Sequence, residues 1–306
     1  MKWVVKKFSG KKPAFTIVEL LTVMSIIIIL TSLLVPGLHL AKVYAKRVRQ
    51  NTQFYNISQA VELFNAEEDG YPRSAALPAP GSAKTTTGAH HLAEALLGRD
   101  LLGFDPWSSW DAAADESRND MYGRGGLPEQ QASNERRRGP YLQLKNISAF
   151  QLAEIYYPAG AQNLYDGSNQ NAPAPVLTDV YTSKRVQLIG SDKTAKVGTP
   201  IVYFKANTSS QIFDPANPPG SIYNYHDNAD LFALPHILRT GTDHYFKEIY
   251  VDPVSGMNGI QLFYEAITNP QVRPQKRPYN KDSYILMSAG YDGLFGTRDD
   301  VYNFSN

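Results

Sequence analysis

The segment from Phe15 to Leu21 reads FTIVELL, and it opens an apolar run that contains a single acid, Glu19. No Asp, Glu, Lys or Arg occurs between Leu20 and Ala41. A transmembrane helix needs about 20 mostly apolar residues, so this run is long enough to cross a membrane. A carboxylate at the head of such a run is costly in hydrocarbon, which makes Glu19 a candidate functional residue.

The residues before this run are basic, with five lysines and no acid between Met1 and Ala14. An excess of lysine next to a membrane segment predicts that the N-terminus stays in the cytoplasm. A secretory signal peptide has a small-residue cleavage site after its apolar region. Here Val35 to Gly37 lead instead into a polar helical pattern, and the small residue in a suitable place is Ala14, before the run.

This N-terminal order resembles the type IV pilin and type II secretion pseudopilin family: a basic leader, a small residue and then FTIVELL. The resemblance implies cleavage between Ala14 and Phe15 by prepilin peptidase, then methylation of the new amine. It also implies that Glu19 pairs with the Phe15 amine of a neighbouring subunit and specifies the stagger in a fibre. Most family members have Gly where this chain has Ala14, which predicts slower processing. The alternative is an uncleaved signal anchor with Glu19 at the membrane interface.

A helical pattern continues beyond the apolar run. Gly70 to Pro72 mark its end, because glycine adopts the left-handed cap conformation and proline cannot continue a helix. We therefore expect a leader peptide over 1–14, a transmembrane helix over 15–40 and an amphipathic helix over 41–72. The apolar residues predicted to face the rest of the protein recur with helical periodicity: Val43, Val48, Phe54, Ile57, Val61 and Phe64.

Residues 73–140 are predicted to form a large, loop-rich insertion, because Ala, Pro, Gly and Ser dominate its start and its later part is charged and poorly periodic. A short helix is expected over His90–Leu102. Trp107 and Trp110 are expected to be buried, with a binding surface as the alternative. Arg136–Arg138 is expected to be a solvated face, with contact to an acidic partner as the alternative.

Residues 141–306 are predicted to form a globular head with a helix-rich start at Tyr141–Tyr157. The fold class is therefore α+β: a long N-terminal helix, half transmembrane and half amphipathic, packed on an antiparallel sheet, which is a pilin-like arrangement. Alternating or β-branched runs between turn residues predict the strands: Ala174–Tyr181, Arg185–Ile189, Thr199–Ala206, Phe246–Val251 and Asp282–Ser288.

Three acids, Asp292, Asp299 and Asp300, follow the last predicted strand in a glycine-containing loop. Calcium takes roughly six to eight oxygen ligands from carboxylates, carbonyls and water, and this loop offers such oxygens. From Ser288 to Phe304 the loop resembles the calcium site of major pseudopilins. The resemblance implies side-chain ligation by the three acids and carbonyl ligation by Ala289 and Leu294. The alternative is a polar turn whose aspartates cap backbone amides.

Composition limits the remaining possibilities. The chain has no cysteine, so an exported head has to be held by its core, by a metal or by assembly. Loss of the five leader lysines leaves 25 basic and 29 acidic residues, which argues against a nucleic-acid partner.

Common catalytic motifs are missing from the sequence, including the nucleophile elbow, the zinc helix and the phosphate-binding loop. We therefore expect a protein that is not an enzyme. The alternative is an anchored hydrolase, and it requires histidines and acids to meet in a deep pocket. The candidates are His226, His236 and His244 with Asp227, Asp230 and Asp243, and more weakly His90 and His91.

These patterns predict a structural pseudopilin of a secretion or pilus-like fibre, single-pass in the bacterial inner membrane with its head in the periplasm. Its expected partners are copies of itself and other pseudopilins, prepilin peptidase, the inner-membrane assembly platform and membrane lipid. Calcium (Ca2+) is the expected cofactor. The alternative is a single-pass binding protein that does not polymerise and recognises a polymer or partner through Arg73 to Gly139.

Overall fold

The computed structural model describes residues 15–76, 84–108, 122, 128–145, 148–167, 173–181, 184–239 and 241–304. The predicted leader and Ala14 therefore lie outside the described residues, as do Trp110 and most of the charged stretch after it. The chain divides into two compact units, Met1–Ala45 and Lys46–Asn306.

The described part of the first unit is helical, and it forms the start of helix α1 (Ile17–Glu68). Its large apolar side chains are exposed, from Phe15 at 80% to Leu40 at 67%. α1 has the length and apolar composition of a membrane-spanning helix, a property that a signal sequence near an N-terminus shares. The helix continues through Pro36.

In the second unit, one face of α1 is buried in the head. Phe54, Ile57, Val61 and Phe64 lie on this face as predicted. Val48 was expected there too, but it is 48% exposed. The polar residues Gln50 and Gln53 are buried instead, and they continue the helical spacing of this face.

The head contains small antiparallel sheets, so the α+β class is confirmed. Strand β1 (Ser148–Gln151) pairs with β2 (Pro175–Thr178), and β3 (Lys184–Gln187) pairs with β4 (Thr194–Val197). A three-stranded sheet has the order β5 (Val202–Lys205), β6 (Tyr284–Ser288) and β7 (Val301–Tyr302). The other helices are α2 (Gly88–Leu97), α3 (Pro128–Arg136), α4 (Leu152–Ile155), α5 (Ala229–Ala233) and α6 (Gly259–Ala266).

The three-stranded sheet separates two apolar cores, because side chains alternate between the faces of a strand. Phe204 of β5 and Met287 of β6 face an aromatic core with Phe232 and Phe263. Tyr203 and Leu286 face the opposite core, which is completed by β2, α2 and the buried face of α1. The acidic loop begins where β6 of this sheet ends, at Ser288.

Two predicted segments differ from the structure. Phe246–Val251 was expected to be a strand, but Lys247 N donates to His244 O and Tyr250 N donates to Lys247 O, so the segment turns. Phe246 is buried in the aromatic core, whereas Ile249 and Val251 are 78% and 59% exposed, so the apolar residues of this segment do not form one buried face. Tyr141–Tyr157 contains β1 and the four-residue α4 rather than a long helix.

The predicted insertion contributes directly to the core. Every residue of α2 is buried, and the helix packs against β2 and β5. α2 begins two residues before the predicted helix and ends at Leu97, because Gly98 follows with a positive φ of 76°.

The arginine run is solvated only in part: Arg137 has a side chain that is 5% exposed and Arg138 one that is 45% exposed, and each arginine is paired within the chain. Arg136 pairs with Asp105 at 3.0 Å, Arg137 with Asp100 at 2.6 Å and Arg138 with Glu68 at 2.8 Å. The expected burial of Trp107 is also wrong, because its side chain is 73% exposed and the Arg136 guanidinium lies 4.5 Å from the ring centroid.

Candidate functional site

The acidic loop connects β6 to β7 and is anchored where β6 ends. Ser288 Oγ donates to Asp179 Oδ2 at 2.9 Å, and Gly290 N donates to Ser288 Oγ at 3.2 Å. Gly290 has a φ of 66°. A Cβ there would lie 2.2 Å from Asp299 O, so the close approach of the two loop arms requires glycine at this position.

The three acids lie together in this loop. Asp292 N donates to Asp299 Oδ2 at 2.9 Å, and Leu294 N donates to Asp292 Oδ1 at 2.8 Å. Asp300 is buried, and its Oδ2 accepts from Gly296 N at 2.8 Å and from the Tyr302 hydroxyl at 3.1 Å. Backbone amides thus hold a carboxylate cluster in one short loop.

The surroundings of the loop raise the pKa values of two of its acids. Burial raises the pKa of Asp300 well above its usual range, and the charges of Asp299 and Asp292 raise it further. Burial and the Asp299 charge also raise the pKa of Asp292. Ionisation of Asp300 and Asp292 is therefore less favourable here than in water.

The loop offers oxygen donors of the kind that calcium takes, but its side chains do not surround one point. Asp300 Oδ1 is buried without a hydrogen-bond partner, so one carboxylate oxygen remains available. Ala289 and Leu294 are buried in the same loop. Among the described residues, no three His, Cys, Asp or Glu side chains are gathered closely enough to hold a metal ion. Asp292 and Asp299 instead bond to backbone amides or a neighbouring hydroxyl, as the turn alternative expects.

Two histidines support the loop from outside. His236 Nδ1 accepts from Leu238 N and Arg239 N, which leaves Nε2 to donate to Asp292 O at 2.9 Å. His244 Nδ1 accepts from Phe295 N at 3.1 Å. Burial lowers the pKa of His244 to about 3, so this side chain is neutral. Both histidines have structural roles here that the sequence pattern did not reveal.

The remaining candidates for a hydrolytic centre have separate partners. Asp227 accepts from Ser74 Oγ, Asp230 accepts from Thr85 Oγ1 at 2.6 Å, and Asp243 pairs with Lys247 at 2.9 Å. His226 is exposed. Burial also lowers the pKa values of His90 and His91 to about 3. Within the part of the chain that the structure describes, these groups do not form a set of three that could hold a metal ion.

The loop also touches α1 within the second unit. The Lys46 ammonium lies 5.1 Å from the Tyr291 ring centroid, and the Tyr181 ring meets Tyr291 edge-on at 6.5 Å. Tyr181 follows β2 by three residues, and Gln53 Nε2 on α1 donates to Thr178 O at 2.8 Å. The start of the acidic loop, the end of β2 and α1 are therefore joined by direct contacts.

At the N-terminus, Glu19 has a local role in starting the helix. Glu19 N donates to Thr16 Oγ1 at 3.2 Å, and Thr16 N donates to Glu19 Oε2 at 3.0 Å. This reciprocal pair is a capping box, which satisfies two amides that a helix start leaves free. Phe15, the first residue after the predicted cut, is 80% exposed.

Comparisons with known proteins assign no family to the chain. No protein-family model, curated protein or solved structure matches it. The function is therefore argued from the helix, the head and the acidic loop themselves.

Proposed function

We propose that this chain is a pilin-like structural subunit, of the pseudopilin type, in a secretion or pilus-like fibre. The observation that carries the proposal is the 52-residue helix α1. A membrane anchor alone needs about 20 residues. α1 exposes its apolar side chains over the first part and buries a periodic face over the second, so a single helix supplies both an anchor and a core element of the head.

In this proposal the chain is inserted in the bacterial inner membrane with its head in the periplasm. Prepilin peptidase removes residues 1–14 by cutting between Ala14 and Phe15, and the new amine is methylated. The assembly platform then brings copies of this chain and other pseudopilins together through their apolar helices. Glu19 pairs with the Phe15 amine of the neighbouring subunit, which fixes the stagger because neither charge is easily buried alone.

Two substitutions of Glu19 distinguish its proposed pairing with the neighbouring subunit's amine from its capping of helix α1. A Gln at this position still completes a capping box, whereas an Ala does not. If the carboxylate charge sets the stagger, Glu19→Gln and Glu19→Ala both abolish fibres in cells that contain the assembly machinery, measured by electron microscopy of sheared material. Glu62→Gln, which alters another acid of α1, should leave fibres intact. Normal fibres from Glu19→Gln would contradict the pairing role and leave only the cap.

We also propose that the acidic loop binds calcium. Asp292, Asp299 and Asp300 would supply carboxylate oxygens, and Ala289 and Leu294 would supply carbonyl oxygens. The support is the unpartnered Asp300 Oδ1 together with the mutual repulsion of the acids. Calcium would offset that repulsion. Some carboxylate oxygens would then bind the metal in place of the backbone amides from which they now accept hydrogen bonds.

Thermal unfolding of the full chain in detergent tests the calcium proposal. A ligand that binds only the folded state stabilises it, by about 2.7 kcal/mol at a hundredfold excess over Kd. We expect calcium to raise Tm relative to chelator, and Asp299→Asn/Asp300→Asn to remove that rise. Asp192→Asn, an exposed acid elsewhere, is the matched control. Equal Tm values with calcium and chelator for the unaltered chain would reduce the loop to a polar turn.

A single-pass binding protein is the second candidate, and one observation favours it. Trp107 is 73% exposed beside the Arg136 guanidinium, in the segment that the sequence singled out as an insertion. Tryptophan is enriched among the contact residues that contribute most of the binding energy at protein interfaces. Retention of the leader, together with a monomeric chain in cells that contain the assembly machinery, would favour this function over the fibre.

A further inference from the structure

The hairpin formed by β3 and β4 has two different faces. Val186 and Val197 point into the aromatic core and are buried. The opposite face carries polar side chains that are all exposed: Arg185, Gln187, Thr194 and Lys196. This face belongs to a two-stranded sheet that has no third strand in the described residues.

Two cations lie directly opposite each other on the exposed face. Arg185 and Lys196 are partners in the β3–β4 register. Like charges at directly opposed positions of an antiparallel pair are destabilising. Arg185 Nη1 donates to Thr194 Oγ1 at 3.3 Å, and neither cation forms an ion pair with any acid in the described ranges. The hairpin therefore retains a repulsion that the acids in the described part of the head do not pair with and offset.

The surroundings of this pair are also basic. Lys184 Nζ donates to Ile155 O at 2.7 Å and to Tyr157 O at 2.8 Å, so it bonds to carbonyls rather than to a carboxylate. Lys193 is exposed in the turn, next to the hairpin's one acid, Asp192. From Lys184 to Val197 the hairpin thus has four basic residues and one acidic residue.

An open groove of about 700 Å³ runs beside β3. One wall contains Glu154 and Tyr157, and the other wall is the hairpin from Lys184 to Asp192. Glu154 does not oppose an acidic ligand strongly, because its carboxylate already accepts from Gln151 N at 2.9 Å and Ile189 N at 2.8 Å. Tyr157 is 74% exposed and, with half-buried Leu188 and Ile189, gives the groove an apolar part.

We propose that the exposed face of this hairpin, with the adjoining groove, docks an extended acidic segment of a partner protein. Carboxylates placed across Arg185 and Lys196 would relieve their repulsion. The apolar part of the groove suits the alternate side chains of an extended peptide, which neither a polysaccharide nor a lipid headgroup provides. This docking surface is separate from α1, and the proposal does not depend on fibre assembly.

A labelled peptide with alternating Glu and Val residues tests the surface directly. The full chain, held in nanodiscs of zwitterionic lipid, should bind this peptide in a fluorescence-polarisation titration. A peptide with Gln in place of Glu should bind at least tenfold more weakly. Raising the ionic strength should weaken the acidic peptide's binding, because salt screens exposed charges.

Paired variants locate the binding. Arg185→Gln/Lys196→Gln should weaken the acidic peptide at least tenfold, whereas Lys276→Gln/Lys281→Gln, which alters two exposed lysines paired with Glu265 and Asp282, should not. Arg185→Glu/Lys196→Glu should prefer a Lys–Val peptide. All these side chains are exposed, so far-ultraviolet circular dichroism should be unchanged.

Three results would overturn the proposal: no binding of the acidic peptide, equal binding of the Gln peptide, or equal losses in the two double Gln variants. Binding of anionic vesicles without binding of the peptide would assign the surface to lipid and would also overturn it.

Discussion

Asp179 is the residue that connects the acidic loop to the rest of the head. Its carboxylate accepts from Tyr181 N at 3.1 Å, Thr199 N at 3.2 Å and Ser288 Oγ at 2.9 Å. Burial raises its pKa to about 7, even though these hydrogen bonds and the Lys46 charge act in the opposite direction. Near pH 7 about half of this carboxyl group, which accepts hydrogen bonds from Ser288 of β6 and from Tyr181 beyond β2, is therefore ionised.

The raised pKa of Asp179 predicts a pH dependence of stability. An acid whose folded pKa lies above its unfolded value stabilises the fold fully at low pH, and that contribution is lost as pH rises through the folded value. The loss should occur between about pH 4 and pH 7 and amount to at most about 4 kcal/mol, at 1.36 kcal/mol per pKa unit.

The measurement is denaturant unfolding of the full chain and of Asp179→Asn across this pH range. The unaltered chain should lose stability relative to Asp179→Asn as pH rises, because the amide cannot ionise. Asp192→Asn, at an exposed acid, is the control for a general charge effect. A constant difference between the chain and Asp179→Asn from pH 4 to pH 7 would contradict the raised pKa.

Among the elements, α2 shows that part of the segment between α1 and β1 belongs to the core. It lies against β2 and β5, in the same apolar core as the buried face of α1. Leu92 and Leu96 are both fully buried. α1 is therefore held in the head partly by a helix from the segment that the sequence suggested was an insertion.

Truncation of α2 side chains should therefore be costly. Leu92→Ala is expected to lower the free energy of unfolding by about 2–5 kcal/mol, the usual cost of a buried Leu-to-Ala change. Leu102→Ala removes the same atoms from a side chain that is 51% exposed, and its effect should be much smaller. Denaturant unfolding checks both. Equal, small effects would mean that α2 is not a core element.

The sequence predicted best the elements in which a periodic apolar pattern continues over several turns. The α1 stripe was found because Phe54, Ile57, Val61 and Phe64 repeat with the helix over several turns. The prediction for Val48 was wrong because two glutamines, which the pattern treats as surface residues, bond to the backbone of Thr178 at the end of β2 and of Val180 beyond it. β4 has four residues and is too short to give a distinct periodicity.

The candidate site was predicted only where its residues are neighbours in sequence. Asp292, Asp299 and Asp300 fall within one loop, so their spacing was visible. Asp179 is 109 residues from Ser288, and His236 is 56 residues from Asp292. Contacts at such separations depend on how β2 and β6 meet in the fold, and no local pattern encodes them.

At the scale of the whole molecule, the chain combines an apolar helix with a head that has no disulfide. The head is held by two apolar cores on either side of one small sheet, with an acidic loop between its last two strands. Anchor, head and acidic loop are the parts that the fibre proposal uses. The proposed docking surface on the β3–β4 hairpin is a separate feature that the fibre proposal does not require.

The central claim, that α1 is a processed pilin-like helix, is tested most directly by the intact mass of the chain after co-expression with a prepilin peptidase. The account predicts a mature chain that begins at Phe15 and carries one methyl group, with faster conversion for Ala14→Gly. The account would be contradicted if the unaltered chain and Ala14→Gly both kept residues 1–14. Cleavage beyond Leu40, where a secretory signal would be cut, would also contradict it.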